Sequence, residues 1–111
     1  MINILEYSDI TFPEDFLWGA STAGQQIEGN NNSFYDDKEI APKLAYGGVP
    51  YQMAGRACNS YEMYKEDIAL LKKMHLNSYR MSLEWSRIEP VEGQFDEKEI
   101  EHYRDVLKEL K

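Results

Sequence analysis

The sequence predicts an α/β fold with a parallel sheet, and three observations carry that prediction. A short apolar and aromatic run, Phe16-Leu-Trp-Gly-Ala-Ser21, ends in small residues. A second segment, Asn77 to Trp85, alternates polar and apolar side chains. Each is followed by a stretch with apolar residues at helical 3-4 spacing. Two strand–helix units in succession imply parallel strands joined by right-handed crossovers.

The elements follow in chain order. Residues 1–15 end in Phe12-Pro-Glu-Asp15, an extended lead-in with a turn. Residues 16–21 read as a buried strand with a tight exit. From Gly29 to Ala57 the composition changes to loop residues, among them Asn30-Asn-Asn-Ser33, Asp36-Asp37, Pro42, Gly47-Gly-Val-Pro50 and Gly55. A loop of that length inside a compact domain is either functional or disordered. The aromatics scattered through it (Phe34, Tyr35, Tyr46 and Tyr51) favour the functional reading.

Asn59 or Ser60 can cap the first helix, whose face carries Tyr61, Tyr64, Ile68, Leu71 and His75. Met63, Leu70 and Met74 widen that face and predict a covered helix. The second helix begins at Asp96, with Glu99 three residues on as in a capping box. Ile100, Tyr103, Leu107 and Leu110 form its apolar stripe, and its charged outer face is a solvated one. In the strand between the helices, Arg80, Ser82 and Glu84 fall on one side and Tyr79, Met81, Leu83 and Trp85 on the other. The apolar side suits packing against helices. The polar side faces solvent in a two-layer domain, or the interior of a closed parallel barrel.

Composition narrows the function. The 111 residues carry 12 basic and 20 acidic side chains, a net charge of −8, with 42% hydrophobic and 13% aromatic residues. This is the profile of one globular domain, residues 1–111, without an internal boundary. An acidic chain without a basic stripe excludes nucleic acid as a partner, since phosphate binding draws on Lys and Arg. The longest aliphatic run, Ile68 to Leu71, is far short of the ~20 residues that span a bilayer, so no membrane is expected. The start Met1-Ile-Asn-Ile-Leu-Glu-Tyr7 lacks a basic region and is broken by a charge, which predicts no leader. One cysteine, Cys58, fits a reducing compartment, and the expected location is the cytoplasm.

Several local patterns point to no chemistry. Cys58 with His75 or His102 has no metal-ligand spacing, so Cys58 is expected to be a packed thiol and no metal is expected. Gly19-Ala-Ser-Thr-Ala-Gly24 lacks the Lys and Ser/Thr of a phosphate loop. Asn31-Asn-Ser33 is a formal glycosylation sequon that matters only in a secreted chain.

Length sets a further expectation. Ordering a residue costs on the order of 1–2 kcal/mol of backbone entropy, which extensive burial must offset. Two parallel strands with two helices bury little, because parallel sheets need cover on both faces. The residues therefore read as a piece of something larger, or as a small module that completes its sheet by self-association.

Three segments then carry a family resemblance. Phe12-Pro-Glu-Asp-Phe-Leu-Trp-Gly-Ala-Ser-Thr-Ala-Gly-Gln-Gln-Ile-Glu-Gly29 resembles the N-terminal signature of glycoside hydrolase family 1, the β-glucosidase and 6-phospho-β-glucosidase family. Ala57-Cys-Asn-Ser-Tyr-Glu-Met-Tyr-Lys-Glu-Asp-Ile68 is similar to its first helix, and Asn77-Ser-Tyr-Arg-Met-Ser-Leu-Glu-Trp-Ser-Arg-Ile-Glu-Pro90 to its second strand and exit. The resemblance implies the first two βα units of a (β/α)8 TIM barrel, incomplete in this chain. It implies retaining hydrolysis of β-glucosides or related O-glycosyl compounds, a small carbohydrate as substrate, and no cofactor. Gln26 matches the glutamine that hydrogen-bonds hydroxyls of the non-reducing-end sugar, a role that suits an amide's donors and acceptor. Arg80 matches the arginine that contacts the nucleophilic glutamate, where a fixed positive charge keeps that carboxylate ionised and oriented. Without the resemblance, Arg80 is a surface strand arginine and Gln26 a loop or cap glutamine. Trp85 and Arg87 match positions of structural character.

The chain also departs from the family pattern. Asn59, Ser60 and Met81 replace residues common in the family, and Glu84 replaces a frequent serine. Glu84 is expected to pair with Arg80 or Arg87, and Glu28 to have a structural role near the strand exit. The loop aromatics either form a sugar-stacking rim or cover the barrel's edge. The family's two catalytic glutamates lie in Asn-Glu-Pro and Glu-Asn-Gly motifs, and neither motif occurs in these 111 residues. The chain by itself is therefore expected to be inactive and prone to self-association. The other readings are a non-catalytic sugar-binding or scaffold remnant and, within the enzyme class, a 6-phospho-β-glucosidase whose phosphate-recognising loop would lie beyond Lys111.

Overall fold

The computed structural model describes residues 11–46 and 49–111; of Ala45, Tyr46 and Pro50 it describes the backbone alone. Residues 1–10 of the N-terminal lead-in and the Gly47-Gly48 part of the long loop lie outside these residues, as does the side chain of Tyr46; the turn expected at Pro13–Asp15 is present, closed by Phe16 N on the Pro13 carbonyl at 3.0 Å. The order is β1 (Gly19–Ser21), α1 (Gly24–Ile27), a short hairpin of β2 (Ala45–Tyr46) and β3 (Val49–Pro50), α2 (Ser60–Lys73), β4 (Ser78–Arg80), α3 (Trp85–Ile88) and α4 (Glu97–Leu110).

β1 and β4 pair in parallel with Gly19 opposite Ser78, Ala20 opposite Tyr79 and Ser21 opposite Arg80, as two βα units require. Glycine at position 19 permits the close approach, since a Cβ there would sit 2.8 Å from the Ser78 carbonyl oxygen. Asn77 splices the two strand starts. Its Oδ1 accepts from Trp18 N at 2.8 Å, and its Nδ2 donates to the Phe16 carbonyl at 3.1 Å.

The first strand is shorter and less covered than the aromatic run predicts. Phe16, Leu17 and Trp18 precede β1 and are exposed. Phe12, Phe16 and Trp18 instead pack their rings on one another with centroids 4.7–4.8 Å apart. Among the described residues β1 has a neighbour on one edge only, so its flanking side chains find each other in place of a second layer.

α2 and α4 lie side by side on the sheet. Ile68, Tyr103 and Val106 are buried between them, and Tyr61 stacks on His102 with centroids 4.0 Å apart. The inner face of α2 is the predicted one as far as Leu71. His75 falls beyond the helix, where a φ of +57° ends it. Met63, Leu70 and Met74 are exposed, so the predicted cover of that wider face is not present among the described residues. On α4 the buried stripe runs through Tyr103 and Val106, and Leu107 turns out to solvent.

Capping divides the same way. Asp96 caps α4 by accepting from the backbone N–H groups of Lys98 and Glu99 at 2.9 and 3.3 Å. Glu99 does not close a capping box, because its carboxylate accepts from the Tyr61 hydroxyl at 2.9 Å instead. Asp96→Ala is expected to cost about 1 kcal/mol, read as a lower denaturant midpoint of the intact protein. Asn59 stands at the N-cap of α2 with a φ of +56° and makes no side-chain cap. The hydroxyl of Ser60, the first residue of that helix, donates to Asp67.

Among the described residues, Gly29 is the one position where the first loop admits no side chain. Its φ is +81°, and a Cβ would lie 2.0 Å from the Arg56 carbonyl oxygen. Gly29→Ala combines left-handed strain with a backbone clash and is expected to destabilise the intact protein by about 3 kcal/mol, measured by chemical unfolding.

Candidate functional site

Because β1 and β4 are parallel and in register, their C-terminal ends lie together, and the chain leaving them is cross-linked. Thr22 N donates to the Arg80 carbonyl at 3.0 Å. Gly24 N donates to Ser82 Oγ at 2.8 Å, and the Thr22 and Tyr79 hydroxyls share a hydrogen bond. Arg80 is the last residue of β4 and its side chain is exposed. Gln26 stands on the one-turn helix α1 just past β1, also exposed. Neither side chain makes an ion pair or hydrogen bond to the protein among the described residues. Both predicted sugar-site residues are thus held at the same end of the sheet by backbone, with their polar groups unpartnered among the described residues.

Behind α1 lies a buried polar cluster. Glu28, 6% exposed, accepts from the Tyr103 hydroxyl at 2.9 Å on each oxygen and from Arg87 Nε at 3.1 Å. Arg87 Nη2 donates onward to the Gly29 carbonyl at 2.6 Å and to Asn31 Oδ1 at 3.0 Å. Its guanidinium lies 4.1 Å over the Tyr61 ring. The Tyr103 oxygen in turn accepts from Glu84 N at 3.1 Å. Among the described residues every buried side-chain polar atom has a partner.

The electrostatics follow from this burial. Desolvation raises the Glu28 carboxyl above its ordinary value, although the Tyr103 hydroxyl and Arg87 both pull it down, and the Glu84 charge adds a smaller push upward. The Tyr103 hydroxyl is raised by burial first and by the negative Glu28 second. Burial and the hydrogen bond to Glu99 push Tyr61 up to about 12. Burial lowers His102, favouring the neutral ring that stacks on Tyr61.

Glu28 therefore has the structural place expected of it. Glu84 does not pair with Arg80 or Arg87, because the strand ends at Arg80 and Glu84 is instead the N-cap of α3. Its carboxylate accepts from the Ser86 hydroxyl at 2.7 Å. The predicted alternation stops at the same point, and Trp85 is an exposed helix residue whose Nε1 donates to Glu89 at 2.8 Å. Arg87 is structural, as expected. Cys58 is exposed, not packed. Among the described residues no three His, Cys, Asp or Glu side chains gather as a metal site, and no helix is long and apolar enough to cross a membrane. In the long loop, Phe34, Tyr35 and Tyr51 form a row with centroids 4.0 and 5.4 Å apart, and Phe34 and Tyr35 are exposed.

Sequence reasoning missed Tyr103 as a polar residue. It was legible as one of the apolar stripe, yet a tyrosine on a buried face needs a partner for its hydroxyl. It also passed over Gln25, whose amide donates to Asp36 at 2.8 Å and accepts from the Ser33 hydroxyl at 2.7 Å, tying α1 to the loop.

Two parallel strands in register, each leading on into helices, define an α/β fold built from βα units, with Gln26 and Arg80 at the C-terminal ends of the strands. A family model described as glycosyl hydrolase family 1 matches residues 8–111, and the chain belongs to that family. Myrosinase 1 of Brevicoryne brassicae is 38% identical over 108 residues, covering 92% of this chain and 23% of the relative. Beta-glucosidase A of Acetivibrio thermocellus is 38% identical over 101 residues, covering 87% and 22%. Among solved structures, the AHE enzyme from Alicyclobacillus herbarius superposes with a TM-score of 0.77 at 36% identity, covering 94% of this chain and 24% of that one. The chain spans about a quarter of the length of these relatives.

Proposed function

We propose that these residues are the first two βα units of a (β/α)8 barrel that hydrolyses β-glucosides or related β-glycosides with retention. The observation that carries the reading is the placement of Gln26 and Arg80. Family membership is established over 8–111, and both residues stand with free polar groups at the sheet edge where such barrels assemble their sites. The exposed rings of Phe12, Phe16 and Trp18 and the exposed Leu70, Met74 and Leu107 are surfaces that further βα units would cover.

In this reading Gln26 receives hydroxyls of the non-reducing-end sugar through its amide. Arg80 lies beside the nucleophilic carboxylate and keeps it ionised. The nucleophile and the acid/base come from residues outside these 111, held about 5–5.5 Å apart as retention requires. No metal or organic cofactor is needed, since two carboxyl groups complete both displacement steps. The test is to express the whole open reading frame and follow release of 4-nitrophenol from its β-glucoside, with the product anomer read by NMR. Hydrolysis with retained configuration supports the reading, and an inert or inverting protein overturns it.

A further inference from the structure

α1 is a single helical turn, Gly24–Ile27, and one turn is too short to hold its own orientation. The Gln26 side chain makes no hydrogen bond to the protein among the described residues, so the backbone of α1 decides where the amide points. That backbone is pinned at both ends. At the front, Gly24 N is held by Ser82 Oγ. At the rear, Glu28 closes the turn with its N–H on the Gly24 carbonyl at 2.9 Å and carries the buried carboxylate held by Tyr103 and Arg87. The Glu28 carbonyl also accepts from Tyr61 N at the start of α2, at 3.4 Å.

The two pins differ in strength. The front one is a hydroxyl accepting from an amide. The rear one is a carboxylate fixed from two directions by donors on α3 and α4, in a site of low dielectric where such bonds are strong and directional. Arg87 grips the segment a second and third time, at the Gly29 carbonyl and at Asn31. Asn31 itself donates back to the Gly24 carbonyl at 3.4 Å, closing a ring of contacts around α1.

We infer that Tyr103 and Arg87 are positioning residues for substrate, setting the aim of Gln26 through Glu28. This rests on the sugar-binding role proposed for Gln26. Neither residue touches the sugar. Each acts by stopping α1 from rotating, and a displacement of about 1 Å in a substrate-positioning group can change rates by up to 10²-fold.

A double-mutant cycle on the intact protein, with 4-nitrophenyl β-glucoside, tests the inference. Gln26→Ala is expected to raise KM. Tyr103→Phe, which removes one hydroxyl and keeps the buried ring, is expected to raise KM about tenfold and lower kcat less. The double variant should be no worse than Gln26→Ala alone, because a misaimed side chain that is absent costs nothing further. Additive effects, or an unchanged KM in Tyr103→Phe beside a raised KM in Gln26→Ala, would overturn the positioning role and leave the proposed activity standing. If Gln26→Ala is itself neutral, or the wild-type protein is inert, the sugar role falls and this inference falls with it. Should Tyr103→Phe fail to fold, the same cycle is run with Glu28→Gln, which removes the charge held by Arg87, and the same outcomes decide.

Discussion

For the activity proposed above, Arg80→Ala in the whole protein is expected to lower kcat by about two to three orders of magnitude while KM moves far less. Arg80 ends β4, opposite Ser21, and its carbonyl is held by Thr22 N, so the Cα is fixed before any substrate arrives. The guanidinium has no acidic partner among the described residues, and Glu84, the nearest candidate by sequence alternation, is turned away as the cap of α3. A permanent cation without an acidic partner among the described residues, at the C-terminal edge of a parallel sheet, suits the nucleophilic carboxylate that the proposed reading sets beside it. Removing it would raise the pKa of that nucleophile and let it swing, both of which act on the chemical step. Arg80→Lys keeps the charge and loses the planar fork, so it should fall between wild type and Arg80→Ala. Steady-state kinetics on a nitrophenyl β-glucoside decide the matter, and an unchanged kcat in Arg80→Ala would remove this role.

Arg87→Ala is expected to destabilise the intact protein by about 3–5 kcal/mol, the cost of leaving a buried charge without its partner. Glu28 would keep the Tyr103 hydroxyl but lose its only cation among the described residues, and Gly29 and Asn31 would lose this donor. The loss carries a pH signature. Burial already raises Glu28 above its ordinary 4.5, against the pull of Tyr103 and Arg87 and with a push from Glu84. Without Arg87 it rises further. A carboxyl whose folded pKa exceeds its unfolded one binds protons more readily in the folded state, so stability falls as pH rises between the two values. The deficit of Arg87→Ala should therefore be largest above the raised value and shrink on acidification toward 4.5. Guanidinium midpoints at several pH values read this directly. A deficit that does not vary with pH would mean that the lost packing over Tyr61 dominates.

What the sequence determined unaided was local or motif-borne. The cap at Asp96, the stripe through Ile100 and Tyr103 and the 3-4 face of α2 depend on residues a few positions apart, and the parallel order of the two strands follows from two strand–helix units in succession. The family could be read because three motifs stand in order. Tertiary structure decided what depends on distant partners. Glu28 meets Arg87 across 59 residues and Tyr103 across 75, and no periodicity links such positions. The alternation from Asn77 to Trp85 likewise continues in sequence past Arg80, yet the ladder stops there and Glu84 turns to cap α3. Side-chain alternation states which residues share a face if a strand persists; whether it persists depends on the hydrogen-bonding neighbour beside it. Burial shows the same division. Phe16, Leu17 and Trp18 are apolar by sequence and exposed in the fold, because hydrophobicity sets the gain from cover and only the surrounding elements supply it.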